Sequence, residues 1–597
     1  MSFNAKLASI FDRMAAMLEL TGADRFRVNA HAKAARVIKD STSDLEPIAR
    51  DVKALTALDG IGKGTAAKIS EFAETGTIAE HDELAAKVPS GVLDLLDIQG
   101  LGPKTVKLLW DDKQVESIAD LKRIIEDGSI LTLPRMGEKT VENIKESIAF
   151  LESSGQRLPI GVAMPIAEAL VGRMKELPGV SDCTFAGSLR RGKESIGDID
   201  ILITTTDPEA ARAAFCEHGS VIKVLARGEH KCSVRLSLEG LEGRFGGDAN
   251  AAVQADLRIV PKEAWGAALM YFTGSKEHNV RLRERALSEG MTLNEYGLFP
   301  EDKSDAKPPQ DRGVEPVAAK TEESIYKALG LAHIAPTLRE DRGELFSAAP
   351  PPGKCIEIAD IKAELHSHTT ASDGDMSIEE SAAIAKERGF HTLAITDHSK
   401  SSAVANGLSP DRLREHIKAV RAADRSIDGI TLLAGSEVDI LVDGTLDYDD
   451  DLLAELDVVV ASPHAGLKAK PAQATKRLLR AIAHPMVHII GHPTGRLIER
   501  RPGLEPAMDE LIAAAIEHDV ALEINAHWMR LDLRDTHVRA AVEAGCKIAI
   551  DCDVHQSGDY DNLRYGIMTA QRGWLTPELC VNSWPKKKLH DWLRSKR

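Results

Sequence analysis

The sequence predicts a multidomain protein that combines α+β and α/β folds, because three patterns of apolar residues follow one another along its 597 residues. Residues 1–150 show helical periodicity interrupted by short glycine-containing turns. From Val180 the pattern changes to short runs rich in β-branched residues, which predict a sheet with helices packed on it. Beyond residue 354, apolar strand-like runs alternate with helical stretches. That alternation is typical of repeated β-α units that can close into a barrel.

The bulk composition excludes several classes of protein. The formal net charge of −17 argues against a uniform positive coat for nucleic acid, although screening still allows local basic faces to bind it. The seven cysteines include no CxxC pair, so neither a disulfide framework nor a zinc ribbon is indicated. The N-terminus has the pattern of an amphipathic helix, not of a signal peptide, and no apolar run is long enough to span a membrane. We therefore expect a cytoplasmic protein with no membrane partner.

Three short segments near the N-terminus repeat a turn followed by the start of a helix. They are LDGIGKGTAAKI (58–69), IQGLGPKTVKLL (98–109) and LPRMGEKTVENI (133–144). The first two carry a Gly-x-Gly turn, formed by Gly60 and Gly62 and by Gly100 and Gly102, whereas the third has Arg135 at the first position. Glycine allows close backbone approach, and the unpaired N–H groups of the helix start suit a DNA phosphate. Simple helical hairpins are the alternative, but the repetition favours phosphate binding, and the segments resemble helix-hairpin-helix motifs.

Two aspartates, Asp198 and Asp200, stand two residues apart in the apolar run IGDIDIL. On a strand both would point to the same side, where two carboxylates repel unless a cation neutralises them. Asp256, in the strand-like run QADLRIV, is a third candidate, and Arg258 on the same face is a candidate counter-ion. Three convergent carboxylates suit a pair of Mg²⁺ ions.

The residues upstream of these aspartates decide between a metal site and the polar edge of an ordinary strand. The pair Gly187-Ser188, followed by Arg191, offers backbone and side-chain donors to the outer phosphates of a triphosphate. Together with the aspartates, this set resembles the nucleotidyltransferase superfamily. The segment YFTGSKEHNVRLR (271–283) then resembles the nucleotide-binding segment of DNA polymerase beta and other family X DNA polymerases.

This resemblance, which covers residues 1–340, implies a role for each matching position. It implies that Asp198, Asp200 and Asp256 bind the catalytic Mg²⁺ or Mn²⁺ ions. It also implies nucleotide and DNA contacts, with Gly187, Ser188 and Arg191 on the triphosphate, Tyr271, Phe272 and Gly274 along the sugar, Asn279 at the nascent base and Arg283 in the template minor groove.

Lys68, in the helix after the first Gly-x-Gly turn, matches the Schiff-base lysine of the family's 5'-deoxyribose-phosphate lyase. An amine at that position could open an abasic sugar. Lysines on a DNA-facing helix more commonly contact phosphate, so both interpretations stay open.

The C-terminal part carries histidines and carboxylates that follow or close its apolar runs, in HSH, ITDHS, GSEVD, ASPHA, IIGHP and DCDVH. Strand C-terminal ends are where α/β barrels gather their sites. The nine candidate ligands are His366, His368, Asp373, His398, Glu437, His464, His492, Asp553 and His555. Nine are too many for one ion, so we expect a cluster of two or three, and imidazole with carboxylate suits Mn²⁺, Zn²⁺ or Fe²⁺.

This set resembles the PHP (polymerase and histidinol phosphatase) domain at all nine positions. The resemblance implies metal-dependent phosphoester hydrolysis. In bacterial family X polymerases it implies 3'-5' exonuclease activity and sometimes abasic-site endonuclease or 3'-phosphatase activity. Arg496, after the His492 motif, is either a ligand for a substrate phosphate or a surface residue.

The motifs and the linker-like stretch SAAPPPGK (347–354) predict six segments. They are a lyase-like helix-hairpin-helix domain (1–85), a second helix-hairpin-helix subdomain (86–155), a nucleotidyltransferase palm (156–260), a thumb-like nucleotide-binding subdomain (261–340), a linker (341–360) and a PHP domain forming a distorted α/β barrel (361–597).

The function predicted is that of a DNA polymerase that fills short gaps in base excision repair and also trims 3' ends. Its partners would be gapped or nicked duplex DNA, deoxynucleoside triphosphates and other repair proteins, in the bacterial cytosol or nucleoid. Two alternatives are a repair hydrolase whose polymerase half only clamps DNA, and a non-enzymatic scaffold that binds DNA ends.

Overall fold

The structure, a computed structural model, describes the chain apart from residues 1–2, 42–44, 59, 99–100, 135, 139, 143, 146–147, 149–156, 242–250, 302–306, 346–353 and 597. Gly100 and Arg135 thus lie outside the described residues. So do residues 347–353 of the linker-like stretch SAAPPPGK (347–354). The chain divides into two compact units, Met1–Gly155 and Gln156–Arg597. Among the described residues, no helix combines the length and the apolar character needed to cross a membrane.

The first unit is helical, as the periodicity of its sequence predicts. Its first helix buries Leu7, Phe11, Met14 and Leu18 on one face. The second helix begins after Asp24, whose side chain accepts hydrogen bonds from the backbone N–H groups of two residues in its first turn. The α-helices with defined bounds are Phe3–Leu20, Arg25–Asp40, Val52–Ala57, Lys63–Thr75, Ala79–Ala85, Ser90–Asp94, Pro103–Lys113 and Ile118–Glu126.

The second unit contains sixteen strands among its described residues. In chain order they are β1 Leu158–Pro159, β2 Val180–Phe185, β3 Ser195–Ile196, β4 Asp198–Thr205, β5 Val221–Arg227, β6 Lys231–Ser237, β7 Ala252–Ile259, β8 Met291–Asn294, β9 Gly297–Pro300, β10 Ala363–Glu364, β11 Thr392–Ile395, β12 Thr431–Asp439, β13 Val458–Ser462, β14 Ile489–Ile490, β15 Ala521–Asn525 and β16 Ile548–Asp551.

Helices of the second unit pack on these strands. They are Ile160–Lys175, Gly187–Arg190, Pro208–Cys216, Trp265–Thr273, Lys276–Ser288, Glu322–Ala328, Ile378–Glu387, Pro410–Ser426, Asp450–Leu453, Pro471–Ile482, Met508–Glu517, Asp535–Ala544, Leu563–Arg572 and Lys586–Arg594.

The first large sheet of this unit has the strand order β2-β4-β7-β6-β5. Only the β4–β7 pair is parallel, and the other three pairs are antiparallel. Along strand β4, Ile199, Ile201 and Ile203 point to one face and are buried in the core that this sheet shares with helix Ile160–Lys175. The same alternation sends Asp198 and Asp200 to the opposite face.

A buried ion network fastens this sheet to the helices that follow it. Glu322 accepts two hydrogen bonds from Arg190, at 2.7 and 2.8 Å, and one from Arg339 at 2.6 Å. Burial alone would raise the pKa of Glu322. The hydrogen bonds from Arg190 and the other cationic neighbours outweigh burial and hold this pKa well below its usual range. Arg339 has no exposed surface, so the Glu322 carboxylate, and not water, compensates its positive charge.

The second large sheet is a parallel one with the strand order β10-β11-β12-β13-β14-β15-β16. A parallel bridge between Ser367 and Val554, just beyond β10 and β16, brings its two edges together, and the N–H of His368 donates to the carbonyl of Val554 at 2.8 Å. The sequence prediction of a β-α barrel is therefore confirmed. The C-terminal helix packs Trp592 and Leu593 on the inward-facing residues of the strands, such as Val458.

We expect Arg339→Met to destabilise the second unit by about 3–5 kcal/mol, because it removes one partner of a buried ion network. Urea denaturation followed by circular dichroism measures the change. Lys418→Met, which removes an exposed ion pair with Glu415, is the matched control and should change the midpoint little. Equal shifts for the two variants would contradict a structural role for the buried network.

Candidate active sites

The first candidate site lies where the parallel strands β4 and β7 pair. Their register sets Asp200 directly beside Asp256 and Asp198 beside Gln254. Gly187 borders them, because a Cβ at that position would lie 2.5 Å from Oδ2 of Asp200 and its φ of +62° suits glycine. Burial and the charges of Asp198 and Asp256 together raise the pKa of Asp200 to about 7. Three carboxylates with this mutual repulsion fit a divalent cation.

Asp256 already has a cationic neighbour that sequence reasoning missed. Nζ of Lys231, on the adjacent strand β6, lies 2.6 Å from Oδ2 of Asp256, and Nε2 of Gln254 donates to Oδ1 at 3.0 Å. Arg258, the predicted counter-ion, stacks its guanidinium 4.1 Å above the ring of Phe272, and its charge also acts on Asp200. The positive charges of Lys231 and Arg258 thus offset part of the negative charge of the three carboxylates.

The predicted triphosphate residues lie at the short helix Gly187–Arg190 and just after it. Ser188 is partly exposed. Arg191 donates from Nη1 to the carbonyl oxygen of Thr273 at 2.5 Å and from Nε to Oε1 of Glu340 at 3.0 Å. Its guanidinium therefore joins the segment before Asp198 to the end of the YFTG motif.

The predicted sugar and base residues surround the end of helix Trp265–Thr273. Tyr271 and Phe272 meet edge to face with ring centroids 5.1 Å apart, and Gly274 ends the helix with a φ of +72°. Asn279 donates from Nδ2 to the carbonyl of Tyr271 at 2.7 Å. Arg283 donates to the carbonyl of Asn279 at 3.2 Å and is exposed. The structure thus brings these five residues into one surface segment.

In the helical unit, the turn glycines stand at the starts of two helices. Gly62 and Gly102 are the N-cap residues of helices Lys63–Thr75 and Pro103–Lys113. Gly60 has a φ of +91°, which favours glycine. Neither glycine has a side chain to cap its helix, so backbone N–H groups at both helix starts can bind an anion, although Pro103 itself has none. Gly100 lies outside the described residues.

Lys68 lies in an ion cluster of the same unit. Its Nζ lies 3.0 Å from Oε2 of Glu80, and Nη2 of Arg27 lies 2.6 Å from Oε1 of the same residue. His31 lies 3.7 Å from Glu80. Although burial raises it, the hydrogen bonds from Lys68 and Arg27 keep the pKa of Glu80 below its usual value.

The second candidate site lies at the carboxyl ends of the barrel strands, and Glu437 is at its centre. The carboxylate oxygens of Glu437 lie close to five of the predicted histidine ligands. The nitrogen–oxygen distances are 2.8 Å for His398, 2.9 Å for His492, 3.2 Å for His464, 3.3 Å for His366 and 3.7 Å for His368.

The other predicted ligands complete this cluster. Oδ1 of Asp553 lies 3.1 Å from Nε2 of His368, and Oδ1 of Asp373 lies 3.5 Å from Nε2 of His555. In three groups, the ligand atoms all lie within 4.8 Å of one another. The groups are His368, Asp373, His398 and His555; His366, His368 and Asp553; and His398, Glu437 and His464. Because the groups share His368 and His398, they form one continuous candidate metal cluster.

Unpaired buried atoms support a cation at this site. Nε2 of His366, both ring nitrogens of His492 and both carboxylate oxygens of Glu437 are buried; although Oε1 of Glu437 lies 2.9 Å from His492 and 3.3 Å from His366, none of these atoms has the geometry of a hydrogen bond. Burial lowers the pKa of His492 to about 3. Burial alone would lower the pKa of His464, but the charges of Glu437 and Asp439 raise this pKa to about 10. Such a set of donors is satisfied when cations replace the missing hydrogen bonds.

Carboxylates behind the ligands orient them, and sequence reasoning missed these residues. Oε1 of Glu523 lies 2.6 Å from Nδ1 of His366, and its Oε2 accepts from the N–H of His492 at 2.5 Å. Asp439 lies 2.8 Å from Nδ1 of His464. Glu523 stands inside the apolar strand ALEIN, and Asp439 stands two residues after Glu437, so both carried a signal in the sequence.

The structure places Arg496 away from the second site and a different arginine, Arg530, beside it. Arg496 is buried and donates to both carboxylate oxygens of Glu194, at 3.1 and 2.7 Å, so it is not a surface residue. Arg530 lies 3.7 Å from Oδ2 of Asp553 and remains partly exposed. Arg530 is therefore the cation that borders the second site.

Models of known protein families match five segments of the chain. They are a helix-hairpin-helix domain (2–78), a SAM-like helix-hairpin-helix tandem (92–149), a DNA polymerase beta palm (157–247), a DNA polymerase beta thumb (268–340) and a PHP domain (364–527). Families with such palm and PHP domains generally need divalent metals.

Curated relatives extend this similarity to the whole chain. A protein of Bacillus subtilis named DNA polymerase/3'-5' exonuclease PolX is 34% identical over 585 residues, which are 98% of this chain and 98% of that protein. DNA polymerase lambda of Rattus norvegicus is 28% identical over 57% of this chain and 56% of its own length. DNA polymerase lambda of Arabidopsis thaliana is 28% identical over 56% of this chain and 61% of its own length. The chain therefore belongs to the PolX family, the family X DNA polymerases that carry a C-terminal PHP domain.

Proposed function

We propose that this protein is a DNA-directed DNA polymerase that fills short gaps during base excision repair and removes nucleotides with a 3'-5' exonuclease in its barrel. The observation that carries the proposal is the presence of two separate candidate metal sites in one chain. One is the pairing of Asp200 with Asp256, and the other is the cluster around Glu437. The overall similarity to the Bacillus subtilis polymerase/exonuclease supports both activities.

In the polymerase site, Asp198, Asp200 and Asp256 would hold Mg²⁺ or Mn²⁺, which supplies positive charge for the triphosphate and the pyrophosphate leaving group. Gly187, Ser188 and Arg191 would bind the outer phosphates. The primer 3'-oxygen would attack the α-phosphorus in line, and pyrophosphate would leave.

Other residues would select and align the substrates of this reaction. Tyr271, Phe272 and Gly274 would line the sugar, Asn279 would contact the nascent base, and Arg283 would reach the template minor groove. Gly60, Gly62, Gly100 and Gly102 would hold the DNA backbone through phosphate contacts. Deoxynucleoside triphosphates and gapped or nicked duplex DNA are the substrates that this arrangement favours.

In the barrel site, the nine ligands would hold two or three Mn²⁺, Zn²⁺ or Fe²⁺ ions, whose chemistry is to activate water for phosphoester hydrolysis. Glu523 and Asp439 would fix the rings of His366 and His464. Arg530 would bind the phosphate of the 3'-terminal nucleotide. Abasic-site endonuclease and 3'-phosphatase activities use the same phosphoester chemistry and are further candidates.

The domain boundaries predicted from the sequence remain proposals, with the helix-hairpin-helix regions at 1–85 and 86–155, the palm at 156–260, the thumb at 261–340, a linker at 341–360 and the PHP domain at 361–597. A bacterial cytosolic location and association with other repair proteins also remain predictions.

Substitutions at the two sites should separate the two activities. We expect Asp198→Asn to lower primer extension on a gapped duplex at least about a hundredfold, because it removes a metal-ligand charge, and to leave 3' trimming intact. The double change His366→Asn and His368→Asn should do the reverse. The assay uses one gapped substrate that carries a mismatched 3' end.

The rival interpretations predict other outcomes of this assay. A hydrolase with a polymerase-like clamp would show no extension in the unchanged protein, and an end-binding scaffold would show neither activity after reconstitution with metal. Loss of both activities in either folded variant would contradict the proposal of two sites.

Metal binding at the polymerase site should strengthen as pH rises. The pKa of Asp200 is raised to about 7, so below that pH a proton competes with the cation, and affinity should weaken by up to about tenfold per pH unit. Mn²⁺ binding, followed by electron paramagnetic resonance between pH 6 and 8, measures this. The His366→Asn, His368→Asn variant without nucleotide isolates the polymerase site.

The matched control adds Asp200→Asn to that variant, which should weaken binding and flatten its pH dependence. A Mn²⁺ affinity that is the same at pH 6 and pH 8 before this change would contradict the proposed competition.

Lyase activity at Lys68 is a separate proposal that borohydride trapping can test. A Schiff-base lysine would give a covalent adduct with DNA carrying a 5'-deoxyribose phosphate, and Lys68→Ala would lose it. The control is Lys63→Ala on the same helix, which should retain the adduct. If the unchanged protein gives no adduct while both variants bind DNA more weakly, Lys68 contacts phosphate and is not a catalytic residue.

A further inference from the structure

The segment between the triphosphate residues and the catalytic aspartates is packed against the PHP barrel. We call residues 187–198 the phosphate loop. Three of its residues, Arg191, Gly192 and Glu194, meet the barrel directly. The carbonyl of Arg191 accepts from Nη1 of Arg572 at 2.9 Å, and Glu194 accepts from Arg496 at 2.7 Å. A Cβ at Gly192 would lie 2.9 Å from Cβ of Met568, so only glycine fits there. The nuclease domain thus forms the wall behind the phosphate loop.

Arg572 also reaches the ion partner of Arg191. Oε1 of Glu340 accepts from Nη1 of Arg572 at 2.8 Å and from Nε of Arg191 at 3.0 Å. Nζ of Lys193 lies 3.6 Å from Oε2 of the same carboxylate. One oxygen of Glu340 is therefore shared between the predicted triphosphate ligand and an arginine of the barrel.

A second carboxylate holds Arg572 in place. Oδ2 of Asp535 accepts from Nη2 of Arg572 at 2.7 Å and from Nε at 3.0 Å, and Arg342 donates to the same oxygen at 3.0 Å. The Arg572 side chain is almost completely buried, so its position is fixed by these two acids. A buried guanidinium with two carboxylate partners is a rigid support, because any displacement leaves a buried charge unpaired.

We propose that Arg572, a residue of the nuclease domain, is a positioning residue for nucleotide addition, because it keeps Arg191 available for the triphosphate. The inference rests on the proposed polymerase function. Arg572 supplies positive charge to Glu340, so Arg191 shares that carboxylate instead of neutralising it. Without Arg572, the buried charge of Glu340 would draw Arg191 and Lys193 into full ion pairs, in competition with the incoming phosphates.

The support is specific to one end of the barrel helix Leu563–Arg572. At the other end of this helix, Arg564 pairs with Glu168 of the palm at 2.8 Å. That pair also joins the barrel to the palm, but it is partly exposed and lies at the opposite end of the helix from Arg572. Arg564 is therefore a matched control for simple contact between the domains.

The test is steady-state primer extension by the full chain on a gapped duplex. We expect Arg572→Ala to raise the KM for the incoming deoxynucleoside triphosphate about tenfold, with a smaller effect on kcat. Arg191 would then pair with Glu340 and lose a charge-assisted hydrogen bond to the triphosphate. Arg572→Lys should restore part of the affinity, since it retains the charge. Arg564→Ala should leave both constants unchanged.

A double variant separates positioning from general loss of structure. Adding Glu340→Gln to Arg572→Ala removes the competing charge, so the KM should fall back towards that of the unchanged protein. Thermal melting and 3' trimming report folding in every variant. If Arg572→Ala does not fold, Arg572→Lys and the double variant carry the test.

The outcomes distinguish this inference from the proposed function. An unchanged protein that does not extend primers would overturn the polymerase proposal and the inference with it. If it extends primers but folded Arg572 variants keep its KM, or if Arg564→Ala raises the KM equally, the positioning role is overturned and the polymerase function stands.

Discussion

Both candidate sites depend on the parallel pairing of strands. In a parallel pair, residues from distant parts of the chain reach the same edge of a sheet, and their side chains then face one another. In the palm, this pairing sets Asp200 beside Asp256, although the two residues are 56 positions apart in sequence and strands β5 and β6 lie between them. In the barrel, seven parallel strands bring the nine candidate ligands to one end. Without this geometry neither set of carboxylates would converge.

Bringing several carboxylates together creates electrostatic repulsion, and different groups offset this repulsion at the two sites. The palm carboxylates face solvent in part and have Lys231 and Arg258 nearby, so protons and cationic side chains balance their charge in the absence of an ion. The barrel ligands are more deeply buried, and Glu437 has histidines on several sides. Burial there leaves ring nitrogens and carboxylate oxygens without hydrogen bonds, and cations are the groups that satisfy them. The difference suits a polymerase site that exchanges its ions with substrate and a hydrolase site that retains them.

The two sites are also mechanically connected. The ion pairs of Glu194 with Arg496 and of Glu340 with Arg572 join the palm and thumb segments to the barrel, and Asp535 of the barrel pairs with both Arg572 and Arg342. Buried pairs of this kind contribute little net stability but fix geometry, since a displaced charge has no alternative partner. The phosphate loop therefore has a rigid wall that belongs to the nuclease domain. A single chain that adds and removes nucleotides can thus couple the geometry of one site to the folding of the other.

The sequence by itself determined the fold classes, the central strands of both large sheets and the set of candidate site residues, because apolar periodicity and motif spacing are local properties. The alternation in DIDILIT placed Asp198 and Asp200 on one face, and the runs before HSH, GSEVD and DCDVH placed ligands at strand ends. Only the tertiary structure decided the partners of Lys231, Glu523 and Arg572, which lie 25 to 381 residues away in sequence. It also buried Arg496, which the sequence left open as a phosphate ligand or a surface residue, in an ion pair with Glu194. No local pattern encodes such partners, because a buried charge is defined by whichever distant group the packing brings to it.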